Sequence, residues 1–201
     1  MITSVEMNQP PVVDGDRSYL RSRIDDVLSG NLNGLVLNDQ DSLVFQEGIR
    51  YASELGLSGG INSTTMTFNY DATINDLESG TIPDPEDWEN FGITPLHADG
   101  EEGERMLSVS KCSLGAYSIY ILNRGLAIMD DSPVELWDSL HDESVRILTE
   151  NMLDTDKLNN RVTRLDIALG QTVIFNPSRP HMGVTTQAPR RVNTTFFHQE
   201  S

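Results

Sequence analysis

The 201-residue chain carries 14 basic and 31 acidic side chains, a formal net charge of −17, and 37% of its residues are hydrophobic. That balance describes one soluble domain over residues 1–201 with ordinary core content. No run approaches the ~18 apolar residues of a membrane-spanning helix, and the opening MITSVEMNQPP lacks a basic-then-apolar secretory profile. The single cysteine, Cys112, cannot close an intrachain disulfide, and no cysteine pair offers a zinc-ribbon site. A protein of the reducing cytoplasm, away from membranes, is expected.

The charge is unevenly distributed. Residues 161–191 hold Arg161, Arg164, Arg179, Arg190 and Arg191 against Asp166 alone. The acidic remainder repels a phosphate backbone at long range and argues against a nucleic-acid partner, while a small anion drawn into a cationic pocket is compatible.

In chain order, residues 1–60 read as helical support. Leu20, Ile24, Val27 and Leu28 recur at helical spacing after Ser18, a candidate N-cap, and Gly30 is placed to end that helix. A second helix is expected over 42–55 with Gly56 as its stop, and Gly59-Gly60 breaks the pattern. From residue 61 to 199 the vocabulary becomes short β-type runs at 64–70, 93–96, 106–110, 117–122, 162–168, 172–175, 183–186 and 191–197. Eight such runs suit a barrel or jelly roll. An acidic, proline-containing loop at 71–90 and a helix-like insertion at 133–153 interrupt them. Trp88 and Trp137 sit in these two segments, as closing residues over a substrate or as loop anchors.

His97-Ala98-Asp99 follows the 93–96 run directly. In β conformation residues i and i+2 share a face, so His97 and Asp99 can present a nitrogen and an oxygen to one metal. Downstream, GQTVIFNPSRPHMG carries a strand into a turn whose Pro180 fixes the backbone just before His181. The last strand opens on Arg190 and Arg191. Alternation places Arg191, Asn193, Thr195 and Phe197 on one face and Val192, Thr194 and Phe196 on the other. A one-residue slip would bring Arg190 inward instead; Arg191 is preferred because its register puts Val192 and Phe196 together behind the sheet. His141 and His198 read as solvated side chains. Arg105 is placed either to meet a substrate carboxylate or to pair with Glu101, Glu102 or Glu104.

His97-x-Asp99, then His181, then Arg191 ten residues later, with a GQTVIF-type strand ahead of the distal histidine, resembles the Fe(II)/2-oxoglutarate-dependent oxygenase superfamily over residues 93–197. The resemblance implies a mainly β fold, a double-stranded β-helix of the jelly-roll or cupin-like kind, with N-terminal supporting helices. It implies that His97, Asp99 and His181 hold Fe(II) as a 2-His-1-carboxylate triad, leaving positions for 2-oxoglutarate and O2. Arg191 would pair with the distal carboxylate of 2-oxoglutarate, with Asn193 and Tyr70 as further cosubstrate contacts. The run from Arg191 to Thr195 also looks like the R-x-N-x-T strand of the AlkB-type branch; Phe197 replaces the arginine that usually follows, so a nucleobase substrate is not expected. Asp99 itself favours hydroxylation, since halogenating relatives lack this carboxylate. The expected activity is C–H hydroxylation, or a related oxidation, of a small organic molecule such as an amino acid or specialised metabolite. Alternatives are a peptide or carrier-bound substrate, a metal-only cupin, and a non-catalytic jelly-roll binding or sensor module.

Overall fold

The computed structural model describes residues 17–67, 93–99, 104–123 and 162–199. Two helices, α1 (Arg17–Leu28) and α2 (Leu43–Glu54), flank a short strand β1 (Gly34–Asn38). The remaining strands are β2 (Leu57–Thr67), β3 (Ile93–His97), β4 (Met106–Leu122), β5 (Val162–Ile167), β6 (Gln171–Phe175) and β7 (His181–Gln199). Among the described residues no helix is long and apolar enough to cross a membrane. The segments at 68–92 and 124–161, with Tyr70, Trp88, Trp137, His141 and the expected 133–153 helix, lie outside the described residues.

Antiparallel pairing wraps the strands into two facing layers. Residues 106–112 of β4 pair with β6 and with the second half of β7, which extends to β2, while β1 borders β6. Residues 116–122 of β4 pair with β5 and with the first half of β7, and β3 completes that layer. The two layers are therefore β1-β6-β4-β7-β2 and β3-β7-β4-β5, with β4 and β7 each crossing from one to the other. This is the jelly-roll path of a double-stranded β-helix.

The crossing explains why β4 and β7, each expected as two separate strands, are continuous. Register shifts fall at 112/114, 114/116 and 116/117 of β4, where the strand bends. Gly115 sits in the bend at φ 69°, a left-handed conformation, and a Cβ there would collide with the carbonyl oxygens of Gln187 and Pro189. The Gly59-Gly60 pair does not interrupt the chain either. β2 runs through it with a bulge, and a Cβ on Gly59 would lie 2.5 Å from the Phe196 carbonyl, so glycine admits the close approach of β2 to β7.

The helices cover the outer face of the larger layer. Leu20, Ile24, Val27, Val44 and Ala52 pack on Leu35, Leu37, Leu107, Val109, Ile174 and Phe197, all buried. The inner core joins Val36, Cys112, Ile119, Ile121, Leu165, Val173, Phe175 and Val192 between the layers. Ser18 lies inside α1 rather than at its N-cap.

α2 is capped from a distance. Ser42 occupies the N-cap at φ 62° without a side-chain cap bond. The buried Asp39 carboxylate instead accepts the N–H groups of Val44 and Phe45, each at 2.9 Å, and the Thr172 hydroxyl at 2.7 Å. Lys111 Nζ adds a bond to the Ser42 hydroxyl at 2.6 Å and stands 3.7 Å from the Asp39 carboxylate. Asp39→Ala strands three donors, so a loss of about 2–4 kcal/mol in urea unfolding is expected. Asp41→Ala on the exposed neighbour should cost less than about 0.5 kcal/mol.

Candidate active site

Strand β3 ends on His97, which pairs across the ladder with His181 at the start of β7. The pairing sets the two imidazoles side by side, ring centroids 4.3 Å apart and tilted by 50°. Two residues past His97 the chain turns, and the Asp99 N–H donates to the Pro177 carbonyl at 2.9 Å. Asp99 thereby faces both rings: its carboxylate oxygens lie 3.6 Å from His97 Nε2 and 3.9 Å from His181 Nε2. One ligand atom from each of the three falls within 4.8 Å of the others. The three fit a 2-His-1-carboxylate site.

The protonation pattern agrees with ligation. His181 is buried, and its Nδ1 lies 2.8 Å from the Arg179 carbonyl. A carbonyl only accepts, so Nδ1 carries the hydrogen and Nε2 keeps a free lone pair toward Asp99. Burial, reinforced by neighbouring His97, pushes the His181 pKa down to about 3 against the opposing Arg179 carbonyl, so the ring is neutral at neutral pH. Burial raises the Asp99 carboxyl, and His97 offsets part of that rise. A divalent cation would favour the charged carboxylate and use the lone pair already aimed at it.

One turn organises the triad. In residues 176–180, the Pro177 carbonyl holds Asp99, the Arg179 carbonyl holds His181, and the Pro180 carbonyl accepts from Leu122 N–H at 2.9 Å. The buried Arg179 guanidinium locks this turn to the barrel by donating to the Leu122 carbonyl at 2.6 Å and to Asn33 Oδ1. Arg179→Met is expected to weaken the affinity of the triad for a divalent metal about 10–100-fold by loosening two of its residues at once, read by competition with a chromophoric chelator.

The triad opens into a chamber of about 160 Å³ whose walls include Tyr117, Ile119, Phe175, Arg190 and Val192. Here the register of β7 differs from the expected one. Arg190, Val192, Thr194 and Phe196 line the chamber, and Arg190 is only 6% exposed. Arg191 is exposed on the opposite face, its carbonyl accepting from the Ser113 hydroxyl. Asn193 shares that outer face, where its Oδ1 accepts from Thr64 Oγ1 at 3.2 Å. The cause lies in the helices: α1 and α2 bury Phe197 from outside while the chamber takes Val192 from inside, so both faces of β7 are apolar.

Arg190 and Tyr117 are a matched pair. The guanidinium lies over the Tyr117 ring, 5.4 Å from its centroid. Burial depresses the Arg190 pKa and raises that of Tyr117. Among the described residues, Arg190 Nε and the Tyr117 hydroxyl are buried without a hydrogen-bond partner. Each such orphan costs on the order of 1–3 kcal/mol, a cost that an anionic ligand accepting from both would remove. Tyr117 and Arg179 were not singled out from the sequence: Tyr117 follows the irregular stretch of β4 around Gly115, where simple alternation does not hold, and Arg179 acts through its backbone carbonyl and remote partners.

No protein-family model matches the chain, and no curated protein matches it. Among solved structures, a taurine dioxygenase from Burkholderia xenovorans is 6% identical with a TM-score of 0.47, covering 96% of this chain and 84% of that one. PvcB of Pseudomonas aeruginosa, described as an Fe, alpha-ketoglutarate dependent oxygenase from an isonitrile synthetic pathway, is 12% identical with a TM-score of 0.46, covering 90% and 80%. SnoK, a non-heme alpha-ketoglutarate dependent carbocyclase from nogalamycin biosynthesis, is 11% identical with a TM-score of 0.42, covering 94% and 77%.

Proposed function

We propose that the chain is an Fe(II)/2-oxoglutarate-dependent oxygenase that hydroxylates, or similarly oxidises, a C–H bond of a small organic molecule such as an amino acid or specialised metabolite. The observation that carries this reading is one chamber lined by a His-Asp-His triad and by two donors, Arg190 Nε and the Tyr117 hydroxyl, that have no hydrogen-bond partner among the described residues. A metal site alone needs no buried arginine; a dianionic chelating cosubstrate explains both halves.

In this reading His97, Asp99 and His181 would hold Fe(II), which would supply the redox chemistry that couples O2 to oxidative decarboxylation of 2-oxoglutarate to succinate and CO2. The remaining work belongs to side chains. Arg190 binds the distal carboxylate through its planar fork, and the Tyr117 hydroxyl donates a further bond. Together they fix how far the 2-oxo end reaches toward the triad. Phe175, Ile119 and Val192 form an apolar wall that keeps water from competing for those donors. The Arg179 carbonyl keeps the His181 proton on Nδ1.

Supplied with Fe(II), O2 and 2-oxoglutarate, the protein is expected to release succinate, and His97→Ala to abolish that release. A His97→Ala variant that equals the wild type, or a wild type that forms no succinate above free iron, would leave the binding-module alternative.

A further inference from the structure

A second, larger cavity of about 500 Å³ adjoins the triad chamber, with Asp99, Glu104, Arg105, Met106, Phe196 and His198 in its lining. Asp99 and Phe196 border both cavities, so a molecule in the outer one lies against a triad carboxylate. The volume falls in the range of about 300–1,000 Å³ typical of small-ligand sites.

The outer lining has a definite chemical character. Phe196 and Met106 offer an aromatic face and a pliable thioether. Arg105 makes no ion pair among the described residues, in a chain of net charge −17 where carboxylates are abundant. Its backbone position is fixed beside the triad: the Glu104 carbonyl accepts from Asn176 Nδ2 at 3.2 Å, from the Ser178 hydroxyl at 3.1 Å and from Met106 N–H at 3.1 Å. Asn176 and Ser178 belong to the same turn that holds Asp99 and His181. The site of oxidation and the cation at its mouth are thus tied to one rigid segment.

We infer that the outer cavity binds the substrate as a monocarboxylate, with Arg105 gripping the carboxylate and Phe196 and Met106 packing an apolar or aromatic body across Asp99. This rests on the oxygenase reading for its consequence, which is oxidation at a carbon between the carboxylate and the apolar end. Arg105 is then a specificity-determining residue and Arg190 the cosubstrate residue. The two arginines serve separate chambers.

The test uses the full chain, anaerobic, with Fe(II) and 2-oxoglutarate, and 3-phenylpropanoate and 3-phenylpropanamide as probes, affinity being read by calorimetry and by the visible band of the iron–2-oxoglutarate chelate. The wild type should bind the acid about tenfold more tightly than the amide, and Arg105→Gln should erase the difference. Arg164→Gln, an arginine paired with Asp166 on β5, should preserve it. Equal affinity for acid and amide, no binding of the acid, or a preference that survives in Arg105→Gln overturns the inference. If the chelate band itself never forms, the oxygenase reading fails, and the acid-against-amide calorimetry still decides the pocket.

Discussion

Arg190→Met is expected to raise the 2-oxoglutarate concentration for half-saturation by about 100-fold or more, whereas Arg191→Gln should leave it within about twofold. The asymmetry follows from burial. Arg190 is buried and lines the chamber, its Nε without a hydrogen-bond partner among the described residues, and Arg191 is exposed on the far face of the same strand. Methionine fills similar volume and removes a buried charge that the ligand-free protein leaves unsatisfied, so thermal stability should hold or rise while cosubstrate affinity collapses. Arg190→Lys keeps the charge without the planar fork and should fall between the two. Succinate release against 2-oxoglutarate concentration, with melting curves on the same samples, checks all three. Sensitivity of Arg191→Gln in place of Arg190→Met would reverse the inward face of β7.

His181→Ala should lower Fe(II) affinity by more than about 100-fold, and His97→Ala and Asp99→Ala should do the same, because each removes one of three donors. The larger structural risk lies at His181, which is buried with Phe175 packed edge-on 5.0 Å away. His97 and Asp99 are partly exposed, so their variants should fold as the wild type does and isolate the metal effect. Asp166→Asn, a carboxylate on the outer side of β5, is the control that leaves affinity unchanged. Chelator competition gives the affinities, and near-ultraviolet circular dichroism verifies the fold. Iron binding that survives loss of any one triad residue would contradict the assignment.

The triad was legible because its signals are local. His97 and Asp99 share a strand-end spacing, and Pro177 and Pro180 mark the turn that delivers His181. The β-rich core was legible for a similar reason, since each run begins or ends near residues that favour turns. The inward face of β7 was not. Alternation decides a face only when one side meets water, and here the helices bury Phe197 while the chamber holds Val192. Nor was the cap on α2, where Asp39 works across a left-handed Ser42 and reaches Thr172 on a strand 133 residues away. β1 stayed hidden because Gly34–Asn38 is a short run between two helices, with no alternation to mark it once its first four residues are all buried. The bends in β4 and β7 read as strand ends, because glycine and proline at a crossing look like turn residues.

The most direct measurement is an anaerobic titration of the metal-free protein with Fe(II) and 2-oxoglutarate, followed by visible absorption. A weak charge-transfer band is expected that needs both components, saturates near one equivalent of iron and is lost in His181→Ala. In Arg190→Met it should require far more 2-oxoglutarate. The absence of any band at saturating iron and cosubstrate would contradict the shared triad-and-arginine chamber on which the function rests.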